Sequence, residues 1–442
     1  SNRLNQGLLI GYFIAGLIAI GLGQKNLTTE LANYQIAQQY YQQDLEHYHS
    51  HLPEDALANG YIGYYLFHPV VQTPNAWSTL FRGERDETAH HLRVRLLGLQ
   101  SQVNASAPGN VEAQRYGQFD LAFLWLYLMP LVIAAMSINT LADEKSSGRW
   151  PMLAAQMPNG IRLLFKKMAI PSGILALTNL SFLLIAVLFT PIELSGHWLT
   201  ILVALGLYQL CWLAISAWIV LLNKPASINY LAFLGIWLLF TFVVPGLSYL
   251  YQINQQNAGE DAAIVFDQRQ YMNDSWDKDK QADFAAYLAA YPQWTPTAPL
   301  GEEFDWRWYY SQQQMSDNVV AEQVERREQS QLASYQQGQR FAWLSPVMSL
   351  QYAFNRIADT DMLANVSFNQ QVRAYHQALR DYSWSFYFAD KVMTASDIDA
   401  IPRFSYESMQ KSNTVLTLIK LLLITGLFII AVMVQIRRFH EH

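Results

Sequence analysis

The stretch EHYHSH puts His47, His49 and His51 within five residues, and His68, His90 and His91 follow before the next long apolar run. Imidazole nitrogens bind copper, zinc and nickel. On a helix His47 and His51 share a face at i,i+4, while His49 points away. The two are weak metal candidates, and the favoured reading of the cluster is the polar face of a solvated helix. Asp120 and Lys420 lie near the same end of two apolar stretches. Charges in such segments are costly, so they pair, face water or snorkel to the surface. Pairing with each other, lining an exit path and snorkelling of Lys420 all remain open. A third polar feature is ADEKSSGRWPMLAAQMPNGIRLLFKKM, residues 142–168, a short basic stretch between two apolar runs.

The elements that carry these residues follow from composition. Of 442 residues, 52% are hydrophobic and only 14% charged, against about a quarter charged in a soluble domain. A spanning helix needs roughly 20 apolar residues, and six stretches qualify: 7–23, 118–138, 169–192, 198–222, 228–252 and 413–436. Gln24-Lys25-Asn26 is no small-residue cleavage site, so the first stretch reads as a retained span. The single cysteine, Cys211, excludes a disulfide framework within the chain.

Short loops rich in Lys and Arg mark the cytoplasmic side. Arg3, Lys145, Arg149, Arg162, Lys166, Lys167, Lys224, Arg437 and Arg438 all fall on one side when both termini are cytoplasmic. The expected division is therefore span one at 1–23, an extracytoplasmic segment at 24–117, spans two to five at 118–252 with a cytoplasmic loop at 139–168, a second extracytoplasmic segment at 253–412, and span six with a tail at 413–442. The expected fold is an all-α membrane protein whose mainly helical extracytoplasmic domain is built from two insertions. Leu27, Leu31, Tyr34, Ala37, Tyr41, Leu45, Tyr48 and Leu52 form a helical stripe over 26–52. Asn26 caps that helix, or span one runs straight into it. A Gln-rich helix is expected over 302–340, another from Pro346 to about 358, and a third from the Asp359-Thr360-Asp361 cap to about 384. Neither insertion shows the alternation of a β-sandwich.

DEKSSGRWPMLAAQMPNGIRLLFKK resembles the first cytoplasmic loop of ABC-2-type permeases. Glu144, Ser147, Gly148, Leu153, Gln156, Pro158, Arg162 and Lys167 match that layout, while Trp150-Pro151 departs from its usual apolar pair. FAWLSPVMSLQYAFNRIADTDMLANVSFNQQVRAYHQALRDY, residues 341–382, resembles the outer domain of an ABC-2 subgroup with a large extracytoplasmic insertion of unassigned function. There Leu344, Ser345, Pro346, Asp359, Thr360, Asp361, Phe368 and Tyr375 carry the likeness. That subgroup is associated with permeases linked to multi-copper enzyme maturation.

The resemblance implies a permease subunit in a bacterial inner membrane, working with ABC ATPase subunits and a second permease chain, identical or related. ATP and Mg would be held by the ATPase, since no G-x-x-x-x-G-K-[ST] loop occurs here. Loop 142–168 would be the coupling element, and its basic residues suit an anionic leaflet of membrane lipids. Two other roles stand beside export: mechanotransmission to a periplasmic partner with nothing crossing the membrane, and metal handling for periplasmic enzyme maturation. The acidic insertions disfavour nucleic acid, and no G-x-S-x-G or similar nucleophile motif supports a hydrolase.

Overall fold

The computed structural model describes residues 3–105, 119–152, 160–193, 195–253, 259–295, 299–301, 304–408 and 414–440. Helix dominates, at about 79%. Among the described residues six helices are long and apolar enough to cross a membrane: α1 (Arg3–Ser50), α4 (Leu121–Ser146), α5 (Gly160–Phe189), α6 (Gly196–Leu221), α7 (Ala226–Ile253) and α14 (Thr414–His440). The first insertion holds α2 (Asn59–Tyr65), the strands β1 (His68–Val71) and β2 (His91–Val94), and α3 (Leu99–Ala105). The second holds α8 (Glu260–Ser275), α9 (Lys280–Ala290), α10 (Trp306–Phe341), α11 (Pro346–Ala358), α12 (Met362–Tyr387) and α13 (Ala395–Asp399).

Span one runs without a break into the expected outer helix, so Asn26 lies inside α1 and caps nothing. At 1.5 Å per residue its 48 residues extend roughly 72 Å, more than twice the hydrocarbon thickness of a bilayer. Gly23 permits this path. A Cβ there would stand 1.8 Å from the Thr79 carbonyl oxygen, so only glycine lets α1 pass the loop 76–81. The stripe beyond Gly23 is buried at Leu27, Tyr41 and Leu45, whereas Leu31 is exposed.

Local signals place the helices of the second insertion well. Pro346 opens α11 behind the Ser345 cap, and Asp361 caps α12 by accepting from the Ala364 amide. The helix α10 starts at Trp306, after an Asp305 cap, and so later than 302. The first insertion also holds a short two-stranded sheet, in which β1 and β2 pair antiparallel with His68 opposite Val94. Each strand has four residues, too short to show alternation against a background of loops.

Two large apolar cores result among the described residues, with smaller clusters beside them. One joins Tyr41 and Leu45 of α1 with Leu92, Tyr287, Trp308, Phe368 and Trp384, so the two insertions share a single interior. The other lies among the membrane-capable helices and includes Val347, Leu350, Phe354 and Ile357 of α11. Although α11 belongs to the second insertion, it is seated in the core of the helix bundle.

Candidate functional site

At one end of the bundle the C-terminal end of α4 (Thr140–Ser146) turns sharply. Gly148 has φ of +68°, a conformation that suits a residue without Cβ, and Arg149 N–H donates to the Glu144 carbonyl at 3.1 Å. The Glu144 side chain folds back beneath this turn and is buried. Lys167 Nζ of α5 lies 2.5 Å from its Oε1, and Arg149 Nε lies 3.1 Å from Oε2. Lys145 Nζ donates to Asn223 Oδ1 at 2.6 Å, in the loop between α6 and α7. Leu141, Leu164, Met168, Val220, Leu221 and Val432 pack underneath. The turn is thus tied to four helices, while Lys145, Ser146, Ser147, Gly148 and Arg149 stay exposed above it. Arg162 is also exposed; Leu153, Gln156 and Pro158 lie outside the described residues. Chemically this is an exposed projection of basic and small residues above a buried carboxylate.

At the opposite end Asp120 and Lys420 do not pair with each other. Asp120 caps α4, accepting from Phe123 N–H at 2.7 Å and from Arg82 N–H at 2.9 Å. Lys420 is buried and donates to the Gln339 carbonyl at 3.0 Å and to Gln339 Oε1 at 2.8 Å, in the last turn of α10. A cation there meets the orphan carbonyls and the negative end of the helix dipole. Each charge is satisfied by an insertion segment folded over it, which removes the need for the other. Lys420 fastens α14 to α10, and Asp120 fastens α4 to loop 76–87.

Between them α11 fills the junction. Phe354 stacks on Phe81 with centroids 4.2 Å apart, and Trp125 of α4 lies 5.7 Å from Phe354. At the far end of α11, Arg356 holds Asp359 Oδ1 at 2.5 Å and Asp361 Oδ1 at 2.9 Å, all three buried. Tyr406 and Tyr335 hydroxyls donate to the remaining oxygens at 2.7 and 3.0 Å. Loop 76–87 rests on this corner: Glu84 N–H donates to the Thr360 carbonyl at 2.8 Å, and Thr360 Oγ1 donates to the Phe81 carbonyl at 3.2 Å.

The Glu84 carboxyl is pushed up to about 7, first by burial and then by the Asp361 and Glu87 charges. Its folded value lies above its unfolded one, so the folded chain binds the extra proton between roughly pH 4.5 and 7. The stability this proton supplies is complete below that window and is lost as pH rises through it. Glu84→Gln is therefore expected to melt higher than the parent at pH 8 and equally at pH 4.5. Thermal unfolding at both pH values checks this; equal melting at pH 8 would refute it.

Sequence reasoning missed a second buried ionic group. Glu30 of α1 receives Arg82 Nη2 at 2.6 Å and Arg85 Nε at 2.8 Å, Arg82 also meets Asp86, and Arg85 donates to the Gln72 carbonyl at 2.6 Å. The only trace in the sequence is the dense FRGERDE charge pattern, with no helical period to assign it a face.

The histidines are dispersed. His47 and His51 stack, with centroids 4.6 Å apart, and His51 Nδ1 is 3.1 Å from the His47 carbonyl. His49 turns instead to Asp399 at 3.1 Å. His68 is buried in the insertion core, where burial lowers its ring to about 3 and keeps it neutral. Among the described residues no group of three His, Cys, Asp or Glu side chains is placed to hold a metal ion.

The profile of a family described as a domain of unknown function, DUF3526, matches residues 262–407. That region runs from α8 past α13 and includes α11 and the Asp359–Asp361 corner. No curated protein and no solved structure matches the chain.

Proposed function

We propose that this chain is the membrane subunit of an ATP-driven transporter of the ABC-2 type, placed in a bacterial inner membrane with both termini in the cytoplasm. In this reading the two insertions form an extracytoplasmic unit, and the Glu144 turn faces the cytoplasm. The supporting observation is that turn: an exposed basic projection whose buried carboxylate is clamped to the start of the next helix. A soluble ABC ATPase, which supplies ATP and Mg, would press on it during closure. The clamp to Lys167 would pass the displacement to α5 rather than let the loop yield. A second permease chain completes the assembly.

Two observations favour mechanotransmission as the output over export of a molecule. The helix α1 is one continuous rod through both units, and α11 of the insertion sits inside the bundle core. Displaced membrane helices would move the extracytoplasmic unit directly, changing its grip on a periplasmic partner.

The test is to purify the full chain from its native membrane in mild detergent and identify the proteins that remain bound. A soluble ATPase should be recovered, and Gly148→Val should abolish its recovery while the chain still inserts and folds, since a β-branched residue resists positive φ. Intact, folded chain with no ATPase would overturn the proposal.

A further inference from the structure

Two π-helical turns interrupt the membrane-capable helices, Leu124–Leu128 in α4 and Leu239–Val243 in α7. Each ends two residues before a proline, Pro130 and Pro245. Proline has no N–H, and its ring presses on the carbonyl four residues back. Widening the helix by one residue moves that carbonyl aside, at the cost of backbone groups left without partners. In both turns the next amide reaches back five residues, Met129 N–H to the Leu124 carbonyl and Val244 N–H to the Leu239 carbonyl. The Phe240 carbonyl then has no helical donor, because Val244 N–H is committed and Pro245 has none. The Leu126 carbonyl loses its α-helical donor as well, since that donor would be Pro130.

Hydroxyls from other elements supply the missing donors. Tyr208 OH of α6 donates to the Leu126 carbonyl at 2.6 Å. Ser345 Oγ donates to the Phe240 carbonyl at 2.8 Å, across 105 positions of sequence, while accepting from Met348 N–H at 3.2 Å as the cap of α11. Both residues are fully buried, so no water can take their place. Trp125 and Phe240, one from each turn, lie in the same apolar core as α11.

We propose that α4 and α7 bend at these turns as a pair of latched hinges, with the Tyr208 and Ser345 hydroxyls as the latches. Proline and the widened turn remove the backbone bonds that would keep each helix stiff. One side-chain hydrogen bond in each then decides whether the helix is held or free to pivot. Because the second latch is the first residue of the α11 cap, bending of α7 and tilting of α11 are one event. This inference goes beyond the proposed function and does not depend on an ATPase.

The experiment is hydrogen exchange by mass spectrometry on the full chain in lipid nanodiscs, run as a double-mutant cycle. Ser345→Ala should speed exchange of amides 246–250 about tenfold. Pro245→Ala restores an N–H at 245 and allows a regular helix, so in that background Ser345→Ala should change those amides less than twofold. The parallel cycle pairs Tyr208→Phe with Pro130→Ala and reads amides 131–136. An equal effect of Ser345→Ala in both backgrounds, or exchange that rises only at 346–350, would mean that Ser345 merely caps α11 and would overturn the hinge. Non-additivity in both cycles would establish it.

Discussion

Arg356→Met is expected to be the most damaging single substitution in the insertion unit, destabilising it by about 3–5 kcal/mol, the usual cost of removing one partner of a buried ion pair. Among the described residues, Arg356 is the one cation paired with Asp359 and Asp361, which are 4% and 1% exposed. Methionine fills a similar volume, so the loss is electrostatic and not a cavity. Two carboxylates would be left facing each other, Asp359 in the left-handed region at φ +58° and Asp361 at the head of α12. Burial already raises the Asp361 carboxyl against the pull of Arg356, and removing the arginine raises it further. Protonation then relieves the stranded charge, so the variant should recover part of its stability between pH 8 and pH 5. Arg356→Lys should fall between, because a point charge cannot bridge both carboxylates as a guanidinium does. Thermal unfolding at the two pH values decides it. A melting temperature unchanged from the parent at pH 8 would show that the corner tolerates its charges unaided.

The second large effect is expected at the Glu144 turn, and there the two sides of the ion pair are unequal. Lys167 and Arg149 side chains are 39% and 59% exposed, whereas the Glu144 side chain is 10% exposed. Glu144→Gln releases two cations that water can solvate, and its cost is about 1 kcal/mol. The double variant Arg149→Met with Lys167→Met instead leaves an unpaired carboxylate in a buried site, costing roughly 2–4 kcal/mol. Both should uncouple the turn from α5. Under the proposed transporter role, ATP hydrolysis by a partner ATPase bound to this chain should drop tenfold or more for the double variant and less for Glu144→Gln. If the double variant were as stable and as stimulating as the parent, the clamp would have no role in transmission.

These two sites differ in how far the sequence announces them. The basic loop at 142–168 stands out because its composition changes abruptly between two apolar runs, and that contrast needs no tertiary information. The six membrane-capable helices are legible for the same reason, since span length is set by bilayer thickness and can be counted along the chain. Pro346 and Asp361 mark helix starts because capping acts within four residues. That Glu144 is buried and reaches Lys167 is not legible, although both residues match the loop layout.

Elsewhere the tertiary structure overruled or completed the reading. Asp120 and Lys420 occupy similar depths, but depth is one coordinate, and pairing requires three. Loop 76–87 and the end of α10 reach them first, from positions 38 and 81 residues away. Gly23 looks like one more helix-tolerated glycine until Thr79 is seen against it. Pro130 and Pro245 announce a disturbed helix, yet nothing near them in sequence names Tyr208 or Ser345 as the donors that make the disturbance tolerable. The sequence by itself determined which segments are apolar, where helices start and which loops carry charge, because those depend on neighbours within a few residues. Only the tertiary structure decided which charge meets which partner and which hydroxyl serves which carbonyl, because a buried polar group takes the nearest donor in space, whatever its distance along the chain.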